Sequence, residues 1–391
     1  MKLLIHAGTP KTGSTSIQAC LHLNRQNFEA NGYYIPKAFS VPGRARHLKI
    51  SQFYKAKSTS PKSSTENTLT AEKFSILREQ ECLKLEAEVS EKEKTILLSD
   101  EGIAELSPEQ FAKLIQDMRE IFSEIGLFAY LRRQDRQALS LYHQEISAGG
   151  FPQEHFIKRF YQDYSTLLEL WGHHLGKENL HPLIYQKENF QEGNIIDDFL
   201  GFLEIDNKTA FERDLQRNTS LSSHGLILLK ELNKKLATGA ESAETEIIRK
   251  NFKKLFVEAF PGRSFLPTRS EAREFLHQFE KSNKSLTETW FPGQPAVFNA
   301  DFSDYPEDSD PSVEHLPKVF QEIFHLQSRM ERTQGNSTQT ETLPKIDRRA
   351  LWDYKIHAYL SKLPGTTKKF RHRFKIAAAK RFRLEYGAPI H

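Results

Sequence analysis

Met1-Lys2-Leu3-Leu4-Ile5-His6-Ala7-Gly8-Thr9-Pro10-Lys11-Thr12-Gly13-Ser14-Thr15-Ser16-Ile17 opens the chain. Leu3, Leu4 and Ile5 form a short apolar run, the pattern of a buried strand. Gly8 to Gly13 is a loop with two glycines, a proline, a lysine and hydroxyls. From Ser14 onward the stretch reads as a helix with Ile17, Cys20 and Leu21 on one face, running to about Ala30 before the stop signal Asn31-Gly32. Strand, glycine loop and helix in that order aim backbone N–H groups and a helix N-terminus at an anion.

The phosphate loop of NTPases is G-x-x-x-x-G-K-[ST]. Gly8 and Gly13 keep its spacing and Thr15 stands at its hydroxyl position, but Ser14 occupies the lysine position. The loop's lysine, Lys11, lies between the glycines, so it meets a different part of the ligand from the NTPase lysine on the β/γ-phosphates. The alternative is a Gly/Ser-rich turn before a helix, disfavoured because strand and helix both flank the loop.

Farther along, the same pattern recurs. Thr95 to Leu98 reads as a second buried strand ending at Ser99-Asp100-Glu101, and Ile125 to Leu131 as a third delivering Arg132 and Arg133. His181 to Tyr185 reads as a fourth, and Tyr33 to Pro36 as a short strand. Helical patterns lie between them: Ala71 to Lys92, Ser107 (as cap) to Phe122, Gln134 to Ile146, Phe160 to Leu175 and Ile195 to Ile205. Strand–helix alternation predicts an α/β fold, a P-loop-like, doubly wound parallel sheet flanked by helices. Ligands bind such sheets at the strands' C-terminal edge, where Glu101 and Arg132 fall.

Residues 39–70 are rich in Ser, Thr and Lys without sustained period, and read as a long loop insertion. After about residue 220 the pattern is helical: Leu226 to Leu236, Glu244 to Phe260 and Glu271 to Phe279. The organisation expected is a core over 1–220, a helical region over 221–329 completing an acceptor cleft, a polar linker over 330–344 and a basic tail over 345–391. A net charge of +4 on 391 residues is too small to imply nucleic-acid binding; the tail is suited to an anionic surface. Cys20 and Cys82 suggest core packing, not a disulfide framework. No apolar run has the length of a signal peptide or membrane span, which predicts a soluble, intracellular protein. The scattered histidines, His173-His174 included, lack a metal-ligand spacing, so no metal is expected.

Pro10-Lys11-Thr12-Gly13-Ser14-Thr15-Ser16 resembles the 5′-phosphosulfate loop of PAPS-dependent sulfotransferases. In that family the loop holds 3′-phosphoadenylyl sulfate (PAPS), with its lysine at the bridging oxygen. A second element agrees. Arg132 at a strand end and Ser140 eight residues later resemble the family's pair that clasps the 3′-phosphate. A guanidinium fork suits such a group better than a point charge. Arg133 is read either as a second contributor or as a partner of Asp135, and a solvated helix start is the plainer alternative for both arginines. Tyr185, with the segment Asn194 to Leu200, resembles the family's later strand and helix, where an aromatic lies by the adenine; a buried structural tyrosine is the competing view. Arg217-Asn218-Thr219-Ser220-Leu221 is similar to a segment of bacterial carbohydrate sulfotransferase-like proteins. The late Arg-Lys-Gly loop of cytosolic sulfotransferases is missing, and Arg217 is the candidate to replace it. The resemblance covers roughly residues 1–225.

The resemblance implies transfer of a sulfuryl group from PAPS to a hydroxyl or amine, most simply of a carbohydrate, leaving 3′-phosphoadenosine 5′-phosphate (PAP). Family members acting in the Golgi carry a membrane anchor, so its absence predicts a cytoplasmic, bacterial enzyme. The acceptor's proton needs a general base. The candidates are Glu101, its neighbour Asp100 and the loop residue His47; one of the two carboxylates is expected to cap the next turn. Lys11, with the N–H groups of Thr12 to Thr15, is placed to meet the charge on the leaving phosphate. Trp290, Phe291, Phe298, Phe302 and Tyr305 are read as sugar-stacking or core aromatics. Two other functions compete: a P-loop kinase, marked by magnesium-dependent ATP hydrolysis, and a non-catalytic nucleotide-binding protein, marked by tight bisphosphate binding without turnover.

Overall fold

The computed structural model describes residues 1–41, 46–55, 71–156, 163–213, 221–237 and 243–310. In chain order the elements are β1 (Lys2–His6), α1 (Ser14–Leu23), α2 (Arg25–Ala30), β2 (Tyr33–Tyr34), α3 (Lys49–Lys55), α4 (Ala71–Val89), β3 (Thr95–Ser99), α5 (Pro108–Arg119) and β4 (Glu124–Leu131). Then follow α6 (Gln134–Ser147), α7 (Tyr164–Leu175), β5 (Leu180–Ile184), α8 (Ile195–Phe202), α9 (Ser223–Leu236), α10 (Ala243–Ala259), α11 (Arg269–His277) and α12 (Glu280–Trp290). Two compact units divide them.

The first unit takes residues 1–140, 156–216 and 274–301, and holds the sheet. Its order is β2-β3-β1-β4-β5, with every pairing parallel. Strands buried on both faces must be apolar throughout, which is why Leu3-Leu4-Ile5 and Ile96-Leu97-Leu98 read as unbroken runs. The two-residue period sends Leu3, Ile5, Ile96 and Leu98 into one core with Phe111, Leu114 and Met118 of α5 and Leu168 and Trp171 of α7. It sends Leu4, Leu97, Phe128 and Tyr130 into the other, with Ile17 and Leu21 of α1 and Phe199 and Leu200 of α8. The sheet is thus doubly wound, as the alternation of strands and helices predicts. Because β1 lies between β3 and β4, the loop leaving its C-terminus is flanked by the residues that leave theirs.

Three local readings are corrected. The expected single helix from Ser14 to Ala30 breaks at Asn24. The Asn24 amide donates to Cys20 O and Glu212 O, both at 2.9 Å, and accepts from Glu212 N–H at 2.7 Å, a tie to distant backbone that outweighs helix continuity. Within the expected 39–70 loop, Lys49–Lys55 is helical. There Ser51 N–H donates to Asp100 at 2.8 Å and Tyr54 OH to Asp117 at 2.8 Å. Residues 42–45 and 56–70 lie outside the described residues. The helix α12, with a mostly polar sequence, is additional.

The second unit includes the described residues of 141–155, 221–273 and 302–310. Asn233 is its buried tie: Nδ2 donates to Ile146 O and Gly150 O at 2.8 Å each, and Oδ1 accepts from Arg249 Nε at 3.2 Å. The linker and basic tail, 330–344 and 345–391, lie outside the described residues, as does Arg217.

Candidate functional site

The loop after β1 is held in a shape that ordinary side chains resist. Gly8 (φ +95°), Lys11 (φ +67°) and Gly13 (φ +81°) all lie in the left-handed region. A Cβ on Gly13 would come within 3.0 Å of Ile195 and 3.3 Å of Tyr185, so this position needs glycine on both conformational and steric grounds. Lys11 adopts the left-handed conformation despite its side chain, a local strain of the kind that collects at functional sites.

The loop's root is fixed to β4. Thr9 N–H and Oγ1 both donate to Tyr130 O, at 3.2 and 3.0 Å, and Tyr130 N–H donates to Gly8 O at 2.8 Å. Inside the loop, Thr12 Oγ1 and Ser14 Oγ donate to Thr9 O. Ser14 is buried, so the residue at the NTPase lysine position turns into the loop, whereas Thr15 and Ser16 are exposed. The N–H groups from Lys11 to Ser16 donate to no carbonyl of the described residues; the first helical bond is Ile17 N–H to Gly13 O, at 3.0 Å. A run of N–H groups at the start of a ten-residue helix is thus left for an outside acceptor.

Arg132 follows β4 and reaches back to this loop. Its Nη1 donates to Lys11 O at 2.8 Å, and its guanidinium carbon lies 5.1 Å from the centre of the Tyr185 ring. The backbone of Arg132 is pinned by the buried Tyr164 hydroxyl, which accepts from Arg132 N–H at 3.3 Å. That hydroxyl lies 2.7 Å from Arg132 O and 3.0 Å from Gln137 Oε1, two acceptors for its single proton. Gln137 Nε2 in turn donates to Thr9 Oγ1 (3.2 Å) and Pro10 O (3.0 Å). Ser140 stands three residues further along α6, on the same face as Gln137, and is half-buried. Lys11, Arg132, Tyr185 and Gly13 are therefore brought together, and Gln137 and Tyr164 join them unforeseen. Gln137 lies one turn before Ser140, the one sequence cue available for it; Tyr164 offered none.

Lys11 and Arg132 are both half-buried, and among the described residues neither forms an ion pair. Burial first, then repulsion from Arg132, lowers the Lys11 pKa, with Glu101 opposing. Burial likewise lowers that of Arg132. Two cations held near each other in a partly dry site, neither closed into an ion pair, make a site for an anion. Arg133 is different: its guanidinium pairs with both Asp135 oxygens at 2.8 Å and with Asn299 and Asp301. Of the two readings of Arg133, partnership with Asp135 is the one seen.

The three candidate bases differ sharply. Asp100 is fully buried and accepts from Ser51 N–H at 2.8 Å and Gly102 N–H at 3.0 Å, capping the 3-10 turn Glu101–Glu105. Glu101 is half-buried and lies against the loop: a Cβ on Gly8 would come within 3.1 Å of its Cα and Cβ. Burial raises the Glu101 pKa, opposed chiefly by Arg46, whose Nη2 is 3.4 Å from Oε1. His47 is fully buried with both ring nitrogens engaged. Nδ1 accepts from Ser99 N–H at 3.0 Å, which leaves the proton on Nε2, 3.1 Å from Pro36 O. Burial lowers its pKa to about 4. With both ring nitrogens so engaged, His47 pins the chain to the end of β3.

Of the two readings of the late aromatics, sugar-stacking or core, packing is the one seen. Phe298, Phe302 and Tyr305 are buried, and Trp290 and Phe291 pack against the α5–α7 core. Among the described residues no group of three or more His, Cys, Asp or Glu is placed to hold a metal ion, and no helix is long and apolar enough to cross a membrane.

No family model matches the chain. It is similar to an uncharacterized protein of Archaeoglobus fulgidus, 24% identical over 254 residues, which span 64% of this chain and 70% of the archaeal one. Among solved structures it is similar to a sulfotransferase from Alicyclobacillus acidocaldarius, at 13% identity and a TM-score of 0.36, over 70% of this chain and 99% of that one. A score at that level carries no argument about chemistry.

Proposed function

We propose that the chain is a sulfotransferase that moves a sulfuryl group from PAPS to a hydroxyl or amine of a carbohydrate acceptor. The observation that carries this reading is the 2.8 Å bond from Arg132, at the end of β4, to the carbonyl of Lys11 in the loop after β1. It sets two cations, neither in an ion pair among the described residues, beside a row of N–H groups that donate to no carbonyl of those residues. A nucleotide with phosphate at both its 3′ and 5′ positions offers anionic groups to both.

The residues present fit that cofactor. The N–H groups of Lys11 to Ser16 and the Lys11 ammonium would hold the phosphosulfate; the Arg132 fork and Ser140 would hold the 3′-phosphate. Tyr185, beside Gly13 and Arg132, offers a ring face to the base. The cofactor supplies a sulfuryl group on a phosphate leaving group. Lys11 and the loop N–H groups stabilise the charge that grows on that phosphate. Glu101 takes the acceptor's proton, and Asp100 and His47 hold the turn on which Glu101 stands. Ser14, turned into the loop at the NTPase lysine position, weighs against ATP chemistry.

Titration calorimetry with PAP, set against ATP and magnesium, tests this reading. Saturable PAP binding that ATP does not match supports it, and an acceptor screen with PAPS then follows. Magnesium-dependent ATP hydrolysis would sink it.

A further inference from the structure

Arg46, on the segment leading into α3, has no assigned task, yet it stands at the reacting edge of the sheet. Its Nη2 lies 3.4 Å from Glu101 Oε1 and 3.5 Å from Asp100 Oδ1. Both contacts are long, and its Nε is buried without a hydrogen-bond partner. Asp100 already accepts two short backbone bonds, so it has little need of the guanidinium. Among the described residues no backbone N–H donates to the Glu101 carboxylate, and Arg46 is the cation that chiefly opposes its burial.

The residue after Arg46 is anchored. His47 N–H donates to Ser99 O at 2.9 Å, and its ring takes Ser99 N–H, so the segment is clamped to the last residue of β3. That clamp fixes where the Arg46 side chain begins. It makes the Arg46–Glu101 pairing a product of two anchored backbones, not of two free surface chains.

We propose that Arg46 is a positioning residue for Glu101, the counter-charge that keeps this carboxylate ionised and set beside the loop. This rests on the reading of Glu101 as the proton acceptor. The groups acting on Glu101 are Asp100 and Glu105, which disfavour its charge, and Arg46 and Lys11, which favour it. Glu105 is itself paired with Lys55 at 2.7 Å. Once an anion engages the Lys11 ammonium, the support that Lys11 gives Glu101 is largely cancelled. Arg46 then remains as the cation opposing Asp100 and the burial of Glu101 itself. Without it, Glu101 would take up a proton as the site fills and would have no room for the acceptor's.

The test is carboxyl NMR on the full chain carrying 13C-labelled glutamate, with Glu101→Gln identifying the Glu101 signal. It is run on wild type, Arg46→Gln and Arg46→Lys. Arg46→Gln should move the Glu101 midpoint to higher pH, and Arg46→Lys should largely restore it. In parallel, release of PAP from PAPS, with water as acceptor, should fall by about tenfold or more in Arg46→Gln near about pH 6 and recover as pH rises. PAP affinity should change by less than about threefold. An unmoved midpoint in a folded Arg46→Gln protein overturns the proposal, as does a rate lost equally at every pH. If the midpoint moves but wild type binds no PAP, the counter-charge stands and the sulfuryl-transfer reading fails. Arg46→Lys, which keeps the charge, guards against mistaking misfolding for an electrostatic effect.

Discussion

Replacing Arg132 by alanine removes two things at once, and the structure allows them to be separated. One is the bond to Lys11 O at 2.8 Å, which braces the loop. A single hydrogen bond of this kind contributes about 1 kcal/mol, or roughly fivefold in affinity for any ligand of the loop. The other is the fork offered to a 3′-phosphate. Charge-assisted bonds contribute about 1.5–3 kcal/mol each, so losing even one of the fork's bonds should weaken PAP binding by a further factor of about 10 to 150. Calorimetry with PAP and with adenosine 5′-phosphate, which lacks the 3′-phosphate, tells them apart. PAP affinity should fall at least about tenfold more than that of the monophosphate. Arg132→Lys, which keeps the charge without the fork, should fall between wild type and alanine. Equal losses for both nucleotides would make Arg132 a loop brace only. No loss for either would remove the basis for pairing it with the loop.

Lys11→Ala should reduce sulfuryl transfer by about a hundredfold or more in single-turnover assays, because the leaving phosphate loses its cation. Burial and Arg132 lower the Lys11 pKa, so activity should decline with rising pH earlier than an ordinary lysine would allow. Removing the repulsion in Arg132→Ala should move that alkaline limb upward. Gly13→Ala forces a Cβ into the left-handed region and against Ile195, and should destabilise the fold by about 1–2 kcal/mol in urea titrations while weakening PAP binding. His47 has its pKa lowered to about 4 in the fold, so the unfolded chain binds the extra proton. The stability it provides is complete above about pH 6.5 and declines as pH falls toward 4, by about 3 kcal/mol at most. His47→Gln should flatten that acid loss in thermal melts; an acid loss unchanged in the variant would assign it to another group.

The sheet was legible because its central strands are dry on both faces. Leu3-Leu4-Ile5, Ile96-Leu97-Leu98 and Leu127 to Leu131 are runs of buried apolar and aromatic residues, so the pattern of the run alone finds them. The loop was legible because left-handed backbone demands glycine at Gly8 and Gly13. The break at Asn24 was not, because its cause is the backbone of Glu212, far along the chain. Nor was α12, where Leu286 and Thr287 are the buried residues and no apolar stripe announces a helix. The burial of His47 was hidden for the same reason: a histidine in a polar stretch reads as exposed, and only the fold sets it against Ser99 and Pro36. Arg46 and Gln137 were passed over because a charged or amide side chain carries no mark of its distant partner.

The central place of β1 has a consequence for how this protein is made. Its two neighbours, β3 and β4, lie later in the chain and end at Ser99 and Leu131. Until the chain through Leu131 has left the ribosome, β1 has no complete pair of hydrogen-bonding edges to dock on. A nascent chain interrupted between α4 and β4 exposes an oily segment with a glycine turn behind it, a target for chaperones and proteases. Activity should therefore appear all at once during translation and not build up as the chain grows.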